Sequence, residues 1–82
     1  MNINIDENDF KTSDLALATT LSLHFPIITI DRSNTRKVLF IFDRTSKLNQ
    51  LVEQFWQAKL LVEPQAFANQ IKNCKTRIYS GE

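Results

Sequence analysis

Eighty-two residues, 43% of them apolar, make one small domain; a chain this size buries only about 60–65% of the surface its unfolded form exposes. Ten Lys and Arg against nine Asp and Glu leave a net charge of +1, which excludes a histone-like tail and an acidic mimic of DNA. One Cys excludes an internal disulfide, and one Cys with one His excludes a Cys/His zinc site.

The only glycine is Gly81. A Gly-rich phosphate loop of the P-loop or dinucleotide type therefore cannot form, and no cofactor is expected. The N-terminus is acidic and lacks the basic and apolar regions of a signal peptide. The longest apolar run, Val38 to Phe42, is far short of the roughly 18 residues that cross a bilayer. A soluble protein of the reducing cytoplasm, with no membrane contact, is the expectation. The charge is uneven. Residues 1–31 carry five acids against Lys11, whereas residues 32–82 carry nine Lys and Arg against four acids. Either the two halves attract each other or one face is positive.

Residues 1–9 read as a polar tail, in which Ile3 and Ile5 alternate as in a short edge strand. A single domain is expected over 10–80. The first helix is expected to begin within Lys11–Asp14. Thr12 or Ser13 would cap it, and Asp14 would sit at the favourable end of the helix dipole. Leu15, Ala18, Ser22 and Phe25 keep helical spacing, with Leu17, Leu21 and His24 on the next stripe. This helix should be well buried and should end at Pro26.

Ile27 to Asp31 is β-branched and reads as a strand. Arg32 to Arg36 reads as a turn, and Lys37 to Phe42 as a second strand, giving a β-hairpin. Val38, Phe40 and Phe42 face one way, Leu39 and Ile41 the other. A hairpin apolar on both faces must be covered on both, by helices or by a second copy of the chain. A second capping cluster spans Asp43 to Ser46. Leu48, Leu51, Val52 and Phe55 then predict a helix to about Lys59. Leu60 to Val62 reads as a third short strand. Pro64 fits the first position of a last helix, whose apolar stripe is Phe67, Ile71, Cys74 and Ile78. The fold class is α+β: helix, β-hairpin, helix, short strand, helix, in two layers.

Three groups of residues point to binding. Arg32, Arg36 and Lys37 make the expected hairpin tip basic, and Arg44 and Lys47 follow the second strand. These suit a phosphate backbone, or are an ordinary solvated turn. Lys72, Lys75 and Tyr79 share one side of the last helix. They suit nucleic acid or an acidic partner, or are a plain soluble face. Trp56 points about 100° away from Phe55. It is either a half-exposed partner anchor or a cap on the edge of the hairpin. His24 reads as a partly buried, satisfied side chain and Cys74 as a buried structural thiol. Asp31 and Asp43 lie at opposite ends of the hairpin, so they do not form a two-carboxylate site. No catalytic residue and no metal ligand is assigned.

The string Phe10-Lys-Thr-Ser-Asp-Leu15-Ala-Leu-Ala is followed by Phe25-Pro26, Asp31-Arg32, Phe40-Ile-Phe42 and Arg77-Ile-Tyr79. It resembles a small family of domains of unknown function found in short proteins of bacteria and of mobile or phage-like elements. The resemblance spans residues 10–80. It implies one intact domain with a non-enzymatic accessory role, and carries no catalytic residue with it. The expectation is a small protein-interaction or assembly module that binds a protein partner or a second copy of itself, a homodimer. Trp56, Arg32, Arg36 and Lys37 are its candidate contacts. The alternative is a nucleic-acid-binding accessory protein using Arg32, Arg36, Lys37, Lys72, Lys75 and Tyr79.

Overall fold

The computed structural model describes residues 8–34 and 36–80. Most of the expected polar tail, including Ile3 and Ile5, lies outside the described residues, as does Thr35 of the expected turn. The elements in order are β1 (Phe10–Thr12), α1 (Leu15–Ser22), β2 (Thr29–Asn34), β3 (Lys37–Phe42), α2 (Ser46–Trp56) and α3 (Pro64–Ser80). The fold is a small α+β domain, with a three-stranded antiparallel sheet in the order β1-β3-β2.

The third strand is not where the sequence placed it. Leu60–Val62 is irregular, and β1 takes its place. The reason is one of vacancy. The central strand β3 has two edges, and β1 and β2 occupy both. Thr12, expected as a helix cap, is therefore a strand residue paired with Phe40. The cap of α1 is Asp14, whose Oδ1 accepts the Leu17 N–H at 3.0 Å. The helix ends at Ser22 rather than running to Pro26, and Leu23 to Phe25 form a turn.

The hairpin is tighter than expected. Arg32, Ser33 and Asn34 are strand residues, and Asn34 pairs with Lys37. The Asn34 Oδ1 accepts the Arg36 N–H at 2.9 Å, an Asx turn. The register is broken between Asp31 and Asn34. Such an irregularity on an edge strand discourages further pairing.

Residues two apart on a strand share a face. Phe40 and Phe42, with their cross-strand neighbours Ile30 and Phe10, lie on the face covered by helices. There they meet Leu17, Ala18 and Leu21 of α1, Leu48 of α2 and Cys74 of α3. Leu51, Val52 and Phe55 of α2 pack against the same cluster, as their spacing predicts. Burying one such Phe contributes about 1.5–3 kcal/mol. Ile41 faces the other way and is nonetheless fully buried, while Leu39 is half-buried. The second face of the hairpin is thus closed at its centre within one chain.

α1 and α3 are joined by a polar cluster as well as by the core. The Ser22 hydroxyl donates to the Thr19 carbonyl at 2.7 Å and accepts from Gln70 Nε2 at 2.9 Å. Its single hydrogen is used, so in its 3.8 Å contact with Cys74 Sγ the thiol is the donor. Cys74 is buried, as its place on the apolar stripe predicts.

Candidate functional site

Each end of α2 is fixed by a different device. At the start, Thr45 Oγ1 accepts the Leu48 N–H at 3.1 Å. At the finish, the Lys59 N–H reaches the Gln54 carbonyl and the Ala58 N–H reaches the Phe55 carbonyl, both at 3.0 Å. This is a Schellman cap, and its left-handed position is filled by Ala58 at φ 59°. The cap stops the helix at Trp56, three residues before the end that the periodicity predicts.

Trp56 lies in the last turn of α2 and is 63% exposed. Its indole meets the Phe55 ring edge-on, with centroids 5.0 Å apart at 87°. Phe55 is half-buried in the core cluster, so the exposed ring stands on a fixed base. Five residues beyond Trp56, Leu61 is 91% exposed. An apolar pocket of about 270 Å³ opens beside it, lined by Leu23, His24, Leu61, Val62, Glu63 and Ala66. The sequence reading missed Leu61 because it assigned that segment to the sheet. His24 is exposed on the pocket wall rather than partly buried, since α1 ends two residues before it. Glu63 is committed to the fold. Its carboxylate accepts the Gln65 and Ala66 N–H groups at 3.1 and 2.6 Å, capping α3.

The basic candidates separate into a structural residue and surface residues. Arg32 is half-buried, on β2. Its guanidinium donates to the Ile78 carbonyl at 3.0 Å and to the Arg77 carbonyl, at the end of α3. Arg36 and Lys37 are exposed at the turn. Lys72, Lys75 and Tyr79 are exposed along α3, Tyr79 at 83%. Arg44 belongs to the opposite end of β3 from this turn. Its Nε donates to the Asn8 carbonyl at 2.9 Å and its Nη1 to Asn49 Oδ1 at 3.0 Å, and the guanidinium lies over the Phe10 ring, 5.3 Å from the centroid. It is a tether for β1. Lys47 is exposed in the first turn of α2. Only the end of the α3 stripe is brought beside the strand that carries the hairpin turn.

Asp31 has a perturbed carboxyl. The Ser33 N–H donates to its Oδ1 at 2.9 Å and holds the carboxyl below the usual carboxylate range, with the Ser33 hydroxyl and the charge of Lys11 adding to the effect. The bond lies within β2 at the break in its register, so it is a local backbone contact rather than a poised acid. Among the described residues, no three His, Cys, Asp or Glu side chains converge as metal ligands, and no helix is long and apolar enough to cross a membrane.

No curated protein and no solved structure matches the chain. The family described as "Domain of unknown function (DUF5659)" matches residues 7–80, from before β1 to the end of α3. The chain belongs to that family.

Proposed function

We propose that this domain is a non-enzymatic protein-interaction or assembly module of the bacterial cytoplasm or of a mobile element resident there. The observation that carries the proposal is the exposed Trp56. Indole rings are among the commonest anchors of protein interfaces, because one side chain supplies a large contact area with few rotatable bonds. Here the ring packs edge-on against Phe55, and the backbone that carries it is fixed by the Schellman cap. The connection that follows Trp56 also carries the exposed Leu61, beside an apolar pocket. The buried, unpaired thiol of Cys74 suits a reducing compartment.

The test is capture of partners from cells of the native host by the wild-type chain and by Trp56→Ala, with circular dichroism showing that both are folded. The expected result is one protein recovered in stoichiometric amount by the wild type and lost with Trp56→Ala. It should then bind as a purified component with at least a tenfold weaker Kd for the variant, about 1.4 kcal/mol. Light scattering separates the case in which the partner is a second copy. There the mass rises above 9.5 kDa with concentration in the wild type alone. Equal recovery by both chains, together with a mass of 9.5 kDa throughout, would sink the proposal.

A further inference from the structure

α3 is divided along its length. Phe67, Ile71, Cys74 and Ile78 face the interior. Gln65, Ala68, Lys72, Lys75 and Tyr79 recur at intervals of three and four and are exposed, so they form one outward rail. The helix contains no Asp or Glu in 17 residues, and among the described residues no acid pairs with Lys72 or Lys75. Two cations and one aromatic ring therefore stand on a single line, and among the described residues no acid uses their charge. Lys72 and Tyr79 are about 10 Å apart along the axis. That is the rise of roughly three stacked nucleotides at about 3.4 Å each.

A helix C-terminus ordinarily repels anions, because its last carbonyls carry a partial negative charge. Here the Arg32 guanidinium sits on the carbonyls of Arg77 and Ile78 and offsets that charge. The same contact sets the Tyr79 end of the rail beside β2, whose turn presents the exposed Arg36 and Lys37. The sheet and the helix thus contribute cations at one end of the molecule.

We infer that the outward rail of α3, from Lys72 to Tyr79, is a binding face for single-stranded nucleic acid. Lys72 and Lys75 contact phosphates and the Tyr79 ring stacks on a base, with Arg36 and Lys37 extending the phosphate track. An exposed ring beside unpaired cations is the arrangement that recognises single strands, because the unstacked base supplies the face that the ring needs. An anionic membrane is the poorer fit, since the rail carries no large apolar side chain besides Tyr79. This face is separate from Trp56 and does not depend on the protein-interaction proposal.

The experiment is fluorescence anisotropy of labelled 20-nucleotide single-stranded DNA and RNA with the full chain, at about 50 and 200 mM salt. Four phosphate contacts predict a loss of affinity of roughly 50-fold over that range, from a slope of about −0.7 per contact. The double variant Lys72→Gln, Lys75→Gln should halve the slope. Tyr79→Ser should lower affinity at least about fivefold and leave the slope unchanged. All three residues are exposed, so the melting midpoint should not move. Trp56→Ala should bind as the wild type does. Absence of binding at 50 mM salt would overturn the inference. So would equal affinity for duplex, retention of full affinity in the double variant, or binding of vesicles containing phosphatidylserine in place of the oligonucleotide.

Discussion

Arg32 and Ile78, 46 residues apart in sequence, meet where the guanidinium of β2 donates to the last turn of α3. The contact joins the sheet to the end of the longest helix. Arg32 meets two carbonyls there, so it acts as a cap supplied from another element.

Arg32→Ala should therefore lower stability by about 2 kcal/mol, the scale of hydrogen bonds made by a charged group. For a domain this size that is roughly 10 °C in melting midpoint. Arg32→Lys keeps the charge but loses the planar fork and should fall between the two. An unchanged midpoint in Arg32→Ala would mean that the cap contributes nothing.

Ala58 holds a left-handed backbone that costs a non-glycine residue about 1 kcal/mol. Ala58→Gly removes the clash while the two hydrogen bonds of the cap remain. Chemical denaturation should show the variant more stable by up to about 1 kcal/mol, reduced by the greater freedom of glycine in the unfolded chain.

Thr19 is fully buried, and its hydroxyl has no hydrogen-bond partner among the described residues. Ser22 uses the Thr19 carbonyl, not the hydroxyl. Thr19→Val keeps the shape and removes the unsatisfied group. It should raise stability by about 1 kcal/mol in a urea titration. A loss of more than that amount would show the hydroxyl to be satisfied.

Asp31 gives the domain a small acid-sensitive contribution. Its folded pKa lies below the unfolded value of 3.8, so its contribution is complete above that value and disappears as the pH falls through the folded pKa. Asp31→Asn should be less stable than the wild type at neutral pH, and the two stability curves should converge in acid. A constant difference across that range would show that the effect is not electrostatic.

Periodicity made most of the elements legible. Lys37 to Phe42 and the start of α3 at Pro64 lie where the pattern placed them, because a β-branched run bounded by polar residues and a proline at the first helical turn are strong local signals. Phe10–Thr12 was illegible for the opposite reason. Three residues carry no period, and only the free edge of β3 makes them a strand. Leu60–Val62 had the right composition, but both edges of the central strand β3 were already taken. At the candidate sites, sequence showed that Lys72, Lys75 and Tyr79 share a helix face. It could not show that the Arg32 side chain is bonded to the end of α3 while Arg36 and Lys37 stand exposed, because that distinction rests on where α3 ends in space. The exposure of Trp56 depends in the same way on a helix stop made by alanine, where a glycine would have announced it.

The strand that lies at the centre of the sheet is the last of the three to be synthesised. β1 and β2 are not neighbours in the sheet, so neither finds its native strand partner until residues of β3 have been made. The hairpin pairs Asn34 with Lys37, three residues on, whereas the partner of β1 lies beyond the whole of α1. The β1–β3 pairing thus closes a loop of some thirty residues and the β2–β3 hairpin a far shorter one, so chain entropy favours the hairpin as the earlier contact.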